Sequence, residues 1–539
     1  MLFTSWIFLF GFLPIAIFGY ECAARLGQRC AVYWLVLVSL VFYGFWQPAL
    51  TILIAASIAC NFLVATLIRS NLDRPRLATT LLGFGITADL LALVYYKYTN
   101  WILASLVGFG VLHLEGMHRI ILPLGISFFT FTQIGYLVDC RQEVAKDGKF
   151  RDYALFVTFF PHLIAGPILH NGEMMPQFAK RENYGLRSAN VAAGLSYFVI
   201  GLLKKSLIAD PLSGVNDESF RHPQDLQLLG SWGATLGYSA QLYFDFSGYS
   251  DMAIGLALIF NFKFPLNFNS PYKATSIIDF WQRWHMTLTR YITLYVFNPI
   301  AMWLTSRRAA RGLPIGRKAL TRPGPFAVLV AIPTTLTMLL AGIWHGAGAQ
   351  FVVFGLLHGV YLTVNHAWRT FGPKAKSLET QWRLGRVWAA GWPWLLTYLC
   401  VLVGQVFFRA DSVSDAMSLL HGMAGLKGVE HPVPLPPALG AMLGAFGLRL
   451  ESLGDVIFSL SRDSQLQLLL VPLAFGVAWF LPNSQQIMAR AEPVLANVRA
   501  TTTVLSWRPT VGWAVLMGGA TVLALLSIGG THEFLYFQF

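Results

Sequence analysis

Charge is scarce in this sequence. Of its 539 residues only 12% are Asp, Glu, Lys or Arg, against about 25% in an average soluble domain. With 55% hydrophobic residues and a mean hydropathy of +0.56, this excludes an ordinary soluble enzyme, a disordered chain and a secreted disulfide scaffold. Acidic residues are the rarer kind, 26 against 39 Lys and Arg, a net +13. The basic excess sits in short loops between apolar runs, not on a soluble module, so no nucleic-acid partner is expected. The five cysteines (Cys22, Cys30, Cys60, Cys140, Cys400) are scattered without C-x-x-C spacing, so neither a zinc site nor a disulfide framework is expected. H-E-x-x-H, P-loop, G-x-G-x-x-G and G-x-S-x-G motifs are missing as well. No repeat of 20–50 residues is visible. Residues 2–20 are apolar but lack a positive n-region and an A-x-A site, which predicts a retained first span starting outside.

What is present is a series of apolar runs. At roughly 20 residues per span, the chain has room for about twelve. Four basic stretches, 69–76, 141–151, 307–322 and 369–386, are expected to face the cytoplasm, so an even number of crossings must separate neighbours. This gives runs near 2–20, 31–47, 49–68, 77–96 and 119–138, with 101–112 too short to cross and read as interfacial. Pro161, Gly166 and Pro167 break the run 153–169, which reads as a re-entrant loop. Such backbone is tolerated at membrane depth only where protein or a water-filled cavity covers it. Further crossings are expected at 189–209, within 232–262, at 326–343, 350–367, 388–408, 466–482 and 511–528. Residues 274–302 read as a second buried or re-entrant element and 429–450 as an outer loop or surface helix. The predicted fold is an all-α polytopic membrane protein: about twelve transmembrane helices plus re-entrant and interfacial helices around a central cavity. Residues 1–118 form its N-terminal helices, 119–408 its catalytic core, and 409–539 its C-terminal helices and aromatic tail.

Ionisable residues inside apolar runs cost a few kcal/mol and so mark candidate sites. His345 lies at the Gly-flanked tip of a hairpin, after Trp344. Eighteen helical residues from 326 climb about 27 Å, which would put this imidazole in the outer half of the membrane. The plain alternative is a histidine bonding across helices. A second cluster runs from Ser276 to Leu288. Ser276 and Asp279 resemble a capping box, Asp279 and Arg283 are an i,i+4 pair, and a continuous helix would put Trp281, Trp284, His285 and Leu288 on one face. An interfacial amphipathic helix would explain the same pattern. A third cluster contains Asp245, Ser247, Tyr249 and Asp251; its plain alternative is a helix break whose side chains satisfy freed backbone groups. His162 lies in the broken 153–169 loop, where it would line a cavity. His358 reads as a packing or hydrogen-bonding residue.

Taken in order, Leu122–Phe128, Phe160–Pro167, Tyr243–Gly255, Phe280–Leu288, Trp344-His345-Gly346 and the tail Glu533–Phe539 resemble the membrane-bound O-acyltransferase family. The resemblance is to the bacterial branch that includes the alginate O-acetylation membrane protein and the teichoic-acid D-alanyl transfer membrane protein. It implies a multi-pass protein of the bacterial cytoplasmic (inner) membrane. His345 matches the family's near-invariant histidine and His285 its second functional histidine. One departure follows His285, where a Leu-Arg-Asp-Tyr-like run and a Gly-Gly-Asn-Arg-like turn are replaced by Thr289-Arg290-Tyr291 and the residues up to Pro299.

The resemblance further implies an acyl donor on the cytoplasmic side, an acyl-CoA or acyl-carrier-protein thioester, with no permanently bound cofactor and no metal. The acceptor is expected outside: a polysaccharide hydroxyl, or an exported esterase-like or acyltransferase partner. His345 is assigned as general base and His285 as the residue that positions the acceptor or stabilises the oxyanion. Trp344, Trp284, Asp245, Ser247, Tyr249, Asp251 and His162 are the candidate substrate contacts. The competing reading is a transporter of an acyl or polyprenyl-linked donor without chemistry of its own.

Overall fold

A computed structural model of the chain describes residues 1–111, 120–146, 148–372, 383–428, 462–496 and 505–529. The expected outer segment 429–450, Lys374 and Lys376 of the fourth basic stretch, and the aromatic tail lie outside the described residues. Within them the architecture is all-helical, with one isolated β-bridge between Phe264 and Val494.

Among the described residues, seven helices are long and apolar enough to cross a membrane: Ile7–Leu26, Pro48–Ser70, Pro75–Gly108, Ser188–Arg221, Pro323–His345, Ala349–Phe371 and Gly391–Arg409. The bent pair Leu468–Phe480 and Ser484–Ala491 makes an eighth if it counts as one span. The difference from about twelve has three identifiable sources. Gln28–Gly44 and Val511–Leu526 are apolar but shorter than a full span. The run at 119–138 is Ile126–Arg141, a 16-residue helix buried on most sides. The stretch within 232–262 belongs to Leu228–Ile259, 32 residues and largely enclosed by protein. The run at 101–112 is not a separate interfacial piece: through a π-helical turn at Val94–Tyr98 it continues the helix that begins at Pro75.

Helix starts follow local chemistry. Pro48, Pro75 and Pro323 each stand at the first helical position, where the missing N–H costs nothing. Ser276 caps its helix as expected, its side chain accepting from the Asp279 N–H. The 153–169 run is broken as its prolines demand: Phe150–Thr158 ends, and a short helix Phe160–Leu163 follows at an angle.

Leu228–Ile259 is the central helix. At 1.5 Å per residue it is about 48 Å long, and Ser188–Leu203 packs along it with backbones almost touching. A Cβ on Gly201 would fall 2.5 Å from the Gly248 carbonyl oxygen, and one on Gly194 2.6 Å from that of Gly255. Small residues at such crossings are how helices gain contact where lipid removes the hydrophobic drive. The hairpin Ile332–His345 and Ala349–Phe371 uses the same device. A Cβ on Gly342 would lie 2.3 Å from the Phe351 carbonyl oxygen.

Candidate active site

His345 is the last residue of the first hairpin arm, as the sequence predicted. Two neighbouring side chains hold that helix end. Lys97 Nζ donates to the carbonyls of Trp344 (2.6 Å) and His345 (2.9 Å), and Tyr98 Oη to that of Ile343 (2.6 Å). The Trp344 ring stacks on Phe131 at 4.8 Å, and Phe131 stacks on Tyr291 at 4.5 Å. This column ties the hairpin tip to the segment that carries the second histidine.

That segment is not the continuous helix the spacing suggested. Ile277–Trp281 ends, a turn follows, and a new helix Met286–Ile292 begins. His285 stands at the junction in the left-handed region, at φ 43° and ψ 52°. Such a conformation is uncommon for a residue with a Cβ, costs of order 1–3 kcal/mol, and clusters at functional sites. The neighbouring loop enforces it: the Asn267 carbonyl accepts from the Met286 N–H and the Asn269 N–H donates to the Arg283 carbonyl, each at 2.9 Å. Across the break His285 still shares a cavity with Trp281 and Trp284, as the spacing predicted, although no single helix carries the three.

His285 is 1% exposed and His345 5%. The two line one cavity of about 30 Å³ together with His358, Trp284, Phe246 and Phe408, room for about two waters. Aromatic edges surround the imidazoles, with the Phe246 centroid 4.8 Å from His285 and that of Phe408 5.2 Å from His345. Hydrogen bonding fixes the tautomer of His285. Its Nδ1 lies 3.0 Å from Asn267 Oδ1. The Asn267 amide is oriented by its donation to Ser250 Oγ (3.0 Å), while its oxygen also accepts from Thr287 Oγ1 (2.9 Å). An amide oxygen only accepts, so Nδ1 carries the hydrogen and Nε2 keeps its lone pair. Among the described residues that buried Nε2 has no hydrogen-bond partner. This tautomer suits accepting a hydroxyl proton and does not suit donating to an oxyanion. His358 is oriented differently: its Nδ1 accepts from Trp281 Nε1 at 3.2 Å.

Two wider spaces adjoin. One of about 1110 Å³ lies against the hairpin tip and is lined by Lys97, Trp101, Gln350, Phe351 and Arg409. The edge-on Phe351–Phe408 pair, 5.6 Å between centroids, stands where it approaches the cavity. Another of about 450 Å³ is lined by Trp281, Met286, Thr287, Arg290 and Glu173; Trp281 borders the histidine cavity too. Arg290, in the segment that departs from the family pattern, holds both carboxylate oxygens of Glu173 at 2.5 and 2.6 Å.

Other candidate contacts fall elsewhere. The central helix is unbroken through Asp245, Ser247, Tyr249 and Asp251, and none of the four lines the histidine cavity. Leu242 and Phe246 do. Asp245 takes a hydrogen bond from Lys205 (2.6 Å), which also binds Asp210 (2.8 Å), and Asp251 takes one from Lys204 (2.5 Å). Both lysines come from the π-helical turn Lys204–Ala209, so the carboxylates clamp two helices together. Tyr249 stacks on Phe3 at 4.7 Å. Trp344 belongs to the aromatic column beside the cavity. His162 is buried with Nε2 2.9 Å from the Phe156 carbonyl, a role inside its own broken loop. Cys140 is fully buried.

The sequence reading did not find Asn267, Lys97 or Tyr98. Lys97 was detectable: it is an ionisable residue within the apolar Pro75–Gly108 helix, the same signal that singled out His345. Asn267 sits in the loop Phe264–Ser270, and its reach to His285 is a matter of three dimensions only. No group of three or more His, Cys, Asp or Glu among the described residues forms a candidate metal site.

Comparison with known proteins identifies the family. Residues 82–311 match the membrane-bound O-acyltransferase (MBOAT) family. A peptidoglycan O-acetyltransferase of Helicobacter pylori is 38% identical over 458 residues, 80% of this chain and 81% of that protein. A probable alginate O-acetylase of Pseudomonas aeruginosa is 35% identical over 78% of this chain and 75% of its own length. A teichoic acid D-alanyltransferase of Bacillus subtilis is 30% identical, covering 49% of this chain and 64% of that protein. The chain therefore belongs to the membrane-bound O-acyltransferase family and is a multi-pass membrane enzyme of that class.

Proposed function

We propose that this protein transfers an acyl group, acetyl by the chemistry its relatives' names share most, from a thioester to a hydroxyl of an extracytoplasmic polysaccharide. The thioester, carried by coenzyme A or an acyl-carrier protein, arrives from the cytoplasmic side of the bacterial inner membrane. An exported esterase-like partner is the alternative recipient. His345 is the general base. As the hydroxyl oxygen attacks the thioester carbonyl, an O–C bond forms, the hydroxyl proton passes to His345 Nε2 or Nδ1, and the C–S bond then breaks as the proton moves on to the departing thiolate. General-base catalysis of this kind contributes typically 10²–10⁴ in rate. His285 positions the acceptor: its Nε2 lone pair, held ready by Asn267, takes a hydrogen bond from a second hydroxyl of the sugar, beside the one whose proton passes to His345. The aromatic walls exclude water that would hydrolyse the thioester.

The observation that carries this reading is the meeting of His285 and His345, sixty residues apart in sequence, in one buried cavity. The adjoining spaces at the hairpin tip and at the His285 segment support a reading in which acceptor and donor approach separately. The test is incubation of purified protein in nanodiscs with isotope-labelled acetyl thioester and a defined oligosaccharide. Labelled ester on the sugar supports transfer. Labelled thioester crossing a liposome membrane unchanged, with no ester formed, supports the transporter reading instead.

A further inference from the structure

Lys97 stands inside an apolar membrane helix and is 9% exposed, a placement that costs a few kcal/mol unless something repays it. What it faces is the end of the helix that carries His345. The last four carbonyls of any helix lack intrahelical partners, and here three of them are taken: Ile343 by Tyr98 Oη, Trp344 and His345 by the Lys97 ammonium. The third ammonium hydrogen has Ser127 Oγ within 3.5 Å. Neighbouring residues on a regular helix point about 100° apart, yet Lys97 and Tyr98 reach carbonyls of the same helix end. The π-helical turn Val94–Tyr98 is the local distortion that accompanies this convergence, and such turns recur at functional sites. The amine also sits 5.9 Å from the centroid of the Trp344 ring, whose other contacts form the column towards Tyr291.

We propose that Lys97, seconded by Tyr98, is the positioning residue of the catalytic hairpin: it fixes the last turn before Gly346 and thereby the direction of the His345 imidazole. With two hydrogens given to carbonyls and the third within reach of Ser127 Oγ, the ammonium has no lone pair to offer, so it does not act as the base. A cation at a helix C-terminus also complements the helix dipole, which explains why an amine stands here in place of a neutral donor. This inference rests on the acyl-transfer reading given above.

The test compares wild type, Lys97→Met, Lys97→Arg and Tyr98→Phe in nanodiscs. A displacement of about 1 Å in a reacting group costs on the order of 100-fold in rate. Lys97→Met is therefore expected to lower kcat about 100-fold with both KM values within twofold, Lys97→Arg to restore most of it, and Tyr98→Phe to lower kcat roughly tenfold. Wild-type kcat in Lys97→Met, or a loss confined to the acceptor KM, overturns the proposal. If Lys97→Met does not fold, Tyr98→Phe decides: an unchanged kcat overturns it. Amide hydrogen exchange over residues 341–348 supplies a readout that needs no activity. Faster exchange in Lys97→Met or Tyr98→Phe than in wild type supports the positioning role, and unchanged exchange contradicts it. A wild type that transfers nothing while that exchange difference persists would sink the functional reading and leave the positioning claim standing.

Discussion

Replacing Asn267 by Ala removes the one acceptor that holds the proton on Nδ1 of His285. The ring would then be free to adopt the other neutral tautomer, with its hydrogen on Nε2 facing the cavity, where it can no longer accept from a sugar hydroxyl. Asn267 is fully buried, so no bulk water substitutes for it. It also serves Thr287 Oγ1 and Ser250 Oγ. A buried partner left unsatisfied costs about 1–3 kcal/mol, and with 1.4 kcal/mol per factor of ten this corresponds to roughly a ten- to hundredfold loss in kcat. Stability should fall by a similar 1–3 kcal/mol, measured as a lower melting temperature in detergent. Asn267→Asp keeps an oxygen acceptor at the same place, and the Ser250 hydroxyl can turn to donate to it, so activity should largely survive. The assay is single-turnover acetyl transfer, with the folded fraction measured separately. An Asn267→Ala protein as active per folded molecule as wild type would refute the tautomer argument, as would equal losses in Asn267→Ala and Asn267→Asp.

Lys205→Met should destabilise by about 3–5 kcal/mol, because it removes the cation buried between Asp245 and Asp210, while transfer per folded molecule stays within twofold; thermal melting and kcat check the two halves. Gly342→Ala puts a methyl against the Phe351 carbonyl oxygen, 2.3 Å from the ideal Cβ position, and overpacking of this kind costs about 1–3 kcal/mol. The hairpin arms must part, so kcat should fall together with the melting temperature. Charge reversal at Arg308 and Arg311, in the basic loop assigned to the donor side, should raise the donor KM and weaken its salt dependence; an unchanged KM over a salt series would count against an anionic donor binding there.

How much was legible depended on which physical scale decided each feature. The hairpin, with His345 at its tip, follows from apolar run lengths and glycine placement, and those are local. So does the break in 153–169. The Ser276 cap and the Asp279–Arg283 pair, 2.7 Å apart, were readable because they span three and four residues. The His285 junction was not, because it is imposed by backbone bonds from the 267–269 loop. Regular 3.6-residue spacing still grouped Trp281, Trp284 and His285, which share one cavity, but not the break between them. The lysine partners of Asp245 and Asp251 were not readable for a related reason. An ionisable residue in an apolar run signals that a partner exists, and sequence does not say whether that partner is substrate or, as here, two lysines from the next helix. Against an expected twelve or so, seven or eight helices among the described residues pass as spans on length and composition. Leu228–Ile259, 32 residues long and largely enclosed by protein, shows that run length does not say what surrounds a helix.

The account stands or falls on the imidazole at position 345. His345→Gln preserves much of the side-chain volume and offers an amide in place of a titratable ring, so the protein should fold and still bind donor and acceptor. Quantification of acetyl ester formed in a single turnover by purified His345→Gln protein, with an unchanged melting temperature, is the most direct measurement. The expected result is a loss of at least 10²-fold, the lower bound of what a positioned base contributes. Ester formation at the wild-type rate would contradict the assignment of His345 as the base.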